Sequence, residues 1–128
     1  MAAETNPAKT PKIERSKDFV SLYANHVQVE QNAFDLKLLL GELDQSQGTV
    51  RVEQHSSVTF SWMQAKLLAY YLQLNIATYE FQNGKIQIRK DLMPVEIPQL
   101  LPRQQKDPKI RELWDLIKSL RNQFVSNI

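Results

Sequence analysis

The chain has no cysteine and two histidines, His26 and His55, so its capacity for metal binding and nucleophilic chemistry is narrow. A zinc ion would need carboxylates to complete its ligand set. The strand register proposed below places Gln28, Asp35 and His55 in one cross-strand row and His26, Lys37 and Glu53 in the next. The two imidazoles then sit two strands apart on a diagonal, a poor ligand geometry, and no metal is expected. Ser56 and Ser57 adjoin His55, and Asp35 could orient that ring. The segment nevertheless lacks the glycine-flanked sharp turn that lifts a nucleophilic serine into an oxyanion hole. The three glycines, Gly41, Gly48 and Gly84, are too scattered to cradle a phosphate. No catalytic residue, cofactor or metal site is expected, and the chain reads as a protein without enzymatic activity.

Four other features could carry binding. Asn25 falls on an apolar strand face, where an unpaired amide would cost roughly 1–3 kcal/mol, so it should tie the sheet to a neighbour such as Asn75. Trp62 and Trp114 read as packing or interface anchors. The last helix carries Lys109, Arg111, Asp115, Lys118 and Arg121 for solvent or a partner, but no interleaved row of exposed aromatics that would suit nucleic acid.

The elements that position these residues follow from periodicity. Between Phe19 and Phe60 the period is two, in three runs. Tyr23, Asn25, Val27 and Val29 share a face, as do Phe34, Leu36, Leu38 and Leu40, and then Val50, Val52, Val58 and Phe60. A turn over Glu30–Ala33 would align Val29 with Phe34 and Val27 with Leu36. A second turn through Asp44–Ser46 would align Leu40 with Val50, set Lys37 opposite Glu53 and Asp35 opposite His55, and so bring opposite charges together.

After Ser61 the period changes. Ser61 as N-cap with Gln64 three residues on opens a helix that runs to about Phe81 and stops at Asn83-Gly84. It is apolar on two stripes. One is Ala65, Leu68, Leu72, Ile76 and Tyr79; the other is Met63, Leu67, Tyr70, Tyr71, Leu74 and Phe81. A sheet can cover one stripe, which leaves the second for a partner. Lys85–Arg89 alternates and is expected to add a fourth strand. Prolines at 94, 98 and 102 forbid a continuous helix and imply an extended connector. Asp107 and Pro108 then start a C-terminal amphipathic helix to about Phe124, with Ile110, Leu113, Trp114, Ile117, Leu120 and Phe124 on its apolar stripe.

Composition bounds the class. With 128 residues, 42% apolar and 23% charged, the chain matches one soluble domain with a tail over residues 1–17. No apolar run approaches the roughly 18 residues of a membrane span, and the first residues lack the apolar stretch of a secretory signal, so the cytoplasm is the expected compartment. The net charge of +2 is too near balance to announce a nucleic-acid or membrane-surface protein. Segment by segment the charge is +1 over residues 1–18, −1 over 19–92, −1 over 93–102 and +3 over 103–128.

Tyr23-Ala24-Asn25-His26-Val27-Gln28-Val29, Phe34-Asp35, Gly41-Glu42, Ser61, Gln64-Ala65-Lys66, Leu68, Asn75-Ile76, Tyr79-Glu80, Gly84 and Ile86 resemble the bacterial family catalogued as domain of unknown function 3467. The resemblance spans about residues 22–88. It departs at His26, where an apolar aromatic is usual, and at Trp62, where proline is expected. It implies no catalytic residue. The order of three strands and a helix is also similar in architecture, though not in motif, to the SecB-like export chaperones.

The sequence thus predicts an α+β fold: an antiparallel meander of three to four strands, a long apolar helix over it, a connector at 92–106 and an amphipathic helix at 107–128. The core domain spans 18–91. The expected role is a homodimeric interaction or adaptor module, with a SecB-like holding chaperone as the alternative. Met63, Leu67, Tyr70, Tyr71, Leu74, Phe81, Ile110, Trp114, Ile117 and Leu120 are the expected dimer or partner interface. The C-terminal helix is expected to dock within the dimer or on a further protein, with neither membrane nor nucleic acid as partner.

Overall fold

The computed structural model describes residues 10–46 and 48–128. The expected tail lies partly outside them; its described part, residues 10–17, is exposed and forms no helix or strand. The elements run β1 (His26–Gln31), β2 (Asp35–Asp44), β3 (Arg51–Ser61), α1 (Trp62–Asn83), a 3-10 turn (Lys90–Leu92), α2 (Pro102–Gln105) and α3 (Pro108–Ser126). The class is α+β, with a three-stranded antiparallel sheet in the order β1-β2-β3. The chain divides into two compact units, residues 1–66 and 67–128.

In the sheet unit the strands form where alternation predicts them, but the register differs. Val29 pairs with Leu38 and Val27 with Leu40, while Gln31 and Leu36 close the hairpin. The cause is Asn32. Its side-chain oxygen accepts from the backbone N–H of Phe34 at 2.7 Å and of Asp35 at 2.9 Å, and its amide reaches the Asp35 carboxylate at 3.0 Å. That Asx turn moves the reversal toward Ala33-Phe34 and leaves Phe34 at the tip, 87% exposed rather than paired.

The second hairpin carries a β-bulge. Leu40 pairs with Ser56 and Gly41 with Gln54, so His55 is the extra residue of β3. The expected pairs of Lys37 with Glu53 and Asp35 with His55 are not formed, because β2 and β3 pair as far as Asp44 with Arg51, five residues beyond the expected register, and the bulge adds one more; Lys37 faces Thr59, Asp35 faces Ser61 and Glu42 faces Glu53. The bulge also reverses the alternation beyond it. Val58 and Phe60 share the face of Leu36, Leu38 and Leu40, whereas Val52 pairs with Leu43 on the opposite face.

The sheet's apolar face is thus Val27, Val29, Leu36, Leu38, Leu40, Val58 and Phe60. None of these side chains is buried; Val27 and Val29 are 52% and 56% exposed. Gly41 is the one buried residue among the described residues.

Ser61 caps α1 as expected, its hydroxyl accepting from the Gln64 N–H at 3.2 Å. Gly84, at φ +89°, ends the helix with its N–H on the Glu80 carbonyl. The helix is real, but it is not a core helix, because none of its residues is buried. The expected fourth strand is absent. The Ile86 N–H, which a ladder would need, is taken by the Glu80 carboxylate at 3.0 Å, and Lys85–Arg89 stays irregular.

The connector is not wholly extended, since α2 adds one turn, with the Leu101 N–H bonded to the Gln104 side chain at 2.9 Å. Asp107 caps α3 by accepting from the Lys109 N–H at 2.9 Å, with Pro108 at the first helical position.

Candidate functional site

The histidine region is built by the bulge. His55 Nδ1 lies 2.9 Å from Ser56 Oγ and Nε2 lies 2.8 Å from the Tyr23 carbonyl oxygen, so the ring is held at both nitrogens. Asp35 stands at the far end of β2, paired with Ser61, and does not orient the imidazole. Gly41 makes the close approach possible: a Cβ there would lie 2.5 Å from the Glu53 carbonyl oxygen and 2.9 Å from the Gln54 Cα. His26 pairs with Gly41 on the other side, and its Nδ1 is a buried polar atom with no hydrogen-bond partner. Among the described residues no cluster of three or more histidines and carboxylates is placed to hold a metal ion.

Asn25 has partners, though not the expected ones. Its side-chain oxygen accepts from the Leu43 N–H at 2.6 Å and its own N–H reaches the Gly41 carbonyl at 3.1 Å, so it fastens the entry of β1 to β2. Asn75 instead bonds the Tyr71 carbonyl within α1. The Trp62 indole donates to the Asn32 carbonyl at 3.0 Å.

In the helical unit, α3 grips the proline connector. The Trp114 indole donates to the Pro98 carbonyl at 2.7 Å, while Arg121 donates through Nε to the Val95 carbonyl and through a terminal nitrogen to that of Pro94, both at 2.9 Å. An extended connector has carbonyls without ladder partners, and these donors satisfy them. Arg121, expected to face solvent or a partner, is therefore half-buried against its own connector. Its place on one stripe with Ile110, Trp114 and Ile117, at helical spacing, is the signal that could have revealed it.

The sequence-predicted interface residues separate into two groups. Ile110, Trp114 and Ile117 lie on the half-buried side of α3. Leu120 lies on a second, exposed stripe with Leu113, Leu116 and Phe124. Leu116 was not foreseen. On α1, Met63, Leu67, Tyr70, Tyr71, Leu74 and Phe81 are all exposed, Phe81 by 92%, with Tyr70 and Tyr71 in edge-to-face contact at 5.4 Å. An apolar groove in the same unit is lined by Ile76, Ile86, Ile88, Leu120 and Phe124, together with Glu80.

The Asp44 carboxyl is displaced from its ordinary value. The Ser46 backbone N–H, bonded at 2.8 Å, and the Ser46 hydroxyl hold the Asp44 carboxyl below its ordinary range, with a smaller contribution from Arg51.

A meander of three antiparallel strands leading directly into one long helix, with exposed apolar surfaces, defines a small α+β domain. The chain belongs to the family described as a protein of unknown function (DUF3467), which it matches over residues 1–88. That match takes in the sheet and α1 and ends before the connector and α3. No curated protein and no solved structure matches the chain. Among the described residues no helix is long and apolar enough to cross a membrane.

Proposed function

We propose that the protein is a non-catalytic homodimeric interaction or adaptor module that acts in the cytoplasm. The observation that carries this reading is that neither unit buries a large apolar side chain among the described residues. Complete burial of one such side chain contributes about 1.5–3 kcal/mol, and units of this size need several to offset chain ordering. Apolar side chains at helical spacing on α1, and the seven on the sheet face, are the sites where that burial is missing. A second copy is the economical cover, because every surface it needs is present on the chain itself. The Leu113, Leu116, Leu120 and Phe124 stripe of α3 supports a further contact with a protein partner by a helix-in-groove mode.

Folding coupled to association makes the melting temperature rise with protein concentration. A tenfold dilution series read by circular dichroism should show that rise, and Leu67→Asp with Leu74→Asp should yield monomers or insoluble protein. A concentration-independent transition with an unaffected double variant would contradict the reading.

The breadth of exposed apolar surface favours one second reading, a chaperone that holds unfolded segments. Suppression of aggregation of a reduced, unfolded client at stoichiometric amounts would support it, and indifference to the client would leave the adaptor.

A further inference from the structure

We propose that two copies join through the outer edge of β1, in an antiparallel register centred on Gln28, to form one continuous six-stranded sheet. The proposal deepens the homodimer reading above and rests on it. Its ground is the self-complementarity of the strand His26-Val27-Gln28-Val29-Glu30-Gln31.

The sheet order β1-β2-β3 leaves two unpaired edges among the described residues. They are unequal. β3 is interrupted by the bulge at His55 and carries Arg51 and Glu53 beside it; bulges and charges are the devices that discourage edge pairing. β1 pairs with β2 without a register shift and contains neither proline nor lysine. Val27 and Val29 on it are about half exposed. It is a short, regular, unguarded edge.

Symmetry then restricts the register. Two antiparallel copies of one strand, related by a twofold axis perpendicular to the sheet, must pair residues that point to the same face, so odd-numbered residues meet odd and even meet even. Centring on Gln28 places Gln28 against its own copy and each Val27 against the other copy's Val29. It also places each His26 against the other copy's Glu30. Valine meets valine on the apolar face, and an imidazole meets a carboxylate on the polar face, twice each. Centring on Val29 instead would set Val27 against Gln31 and Glu30 against Gln28, losing both matches. Centring on Val27 shortens the overlap to three residues. The Gln28 register also runs the apolar faces of the two sheets into one, and leaves His26, whose Nδ1 lacks a partner, beside a new carboxylate.

The absence of cysteine makes the register directly testable in the full chain. In Gln28→Cys the two thiols would sit directly opposite, within the Cα separation of about 4.4–6.8 Å that a disulfide spans. In Gln31→Cys they would be six residues out of step, about 20 Å apart. Thr59→Cys probes the β3 edge and Leu74→Cys probes α1. Under mild oxidation Gln28→Cys should form a covalent dimer about tenfold faster than Gln31→Cys or Thr59→Cys. His26→Cys and Glu30→Cys, each slow alone, should cross-link when refolded together, which guards against a folding defect in the single probe.

Faster cross-linking through Thr59→Cys or Leu74→Cys than through Gln28→Cys, or equal rates at every position, would overturn the β1 register while leaving a dimer in place. Slow cross-linking throughout, with a monomeric mass in solution, would remove the dimer itself.

Discussion

Gly41 shows how one missing side chain sets the local geometry. It lies opposite the bulge, where Glu53 and Gln54 come within van der Waals distance of the place a Cβ would occupy. Gly41→Ala should therefore destabilise the protein by about 1–3 kcal/mol through overpacking, measured as a lower denaturation midpoint with an unchanged slope. Asn25→Ala removes the acceptor for the Leu43 N–H and should cost about 1 kcal/mol in the same measurement. Asp44 makes a pH prediction. Its folded carboxyl is held low by the Ser46 N–H and hydroxyl, so its contribution is present above the unfolded value and is lost as pH falls through the folded one. A carbon-13 titration should place the Asp44 midpoint below that of Asp44 in an unfolded peptide, and a midpoint at or above the peptide value would contradict the Ser46 contacts. At this scale the sequence was only partly informative. The sequence shows that Asn25 needs a partner, and it has one, but backbone groups of β2 provide it rather than Asn75. His55 is exposed, as a strand residue opposite in parity to Val52 and Val58 would be, but alternation cannot show that it is the inserted residue of a bulge until the pairing is known.

Element by element, period and caps were the reliable signals. Three alternating runs became β1, β2 and β3; Ser61 opens α1, Gly84 closes it, and Asp107-Pro108 opens α3. Each of these signals is local, carried by backbone and side chains within a few residues. The failures were non-local or came from a side chain competing with the backbone. Asn32 moved the first turn, the Glu80 carboxylate took the N–H that a fourth strand would have used, and the bulge turned Val52 to the other face. Charge alone puts Arg121 on the face left for solvent or a partner, yet its donors reach two connector carbonyls of its own chain. Arg121→Ala should consequently loosen the connector. With Trp62 replaced by Phe so that Trp114 reports alone, the variant should show red-shifted, more quenchable emission than its Arg121 parent. Unchanged emission would mean that the clamp does not hold the connector in solution.

At the scale of the whole molecule the central claim is that this chain completes its interior by association. In the sequence α1 reads as apolar on two sides with one side covered by the sheet, but no α1 residue is buried and Leu72, Ile76 and Tyr79 of that side are exposed. The register in which the copies meet was not legible in the sequence, because it depends on the observed pairing of β1 with β2 and on the bulge that blunts β3. The most direct test is the absolute mass by light scattering coupled to size-exclusion chromatography at micromolar concentration. Twice the 14.9 kDa chain mass is expected, falling toward the single-chain value only as the protein unfolds on dilution. A folded, cooperatively melting species at 14.9 kDa across that concentration range would contradict it.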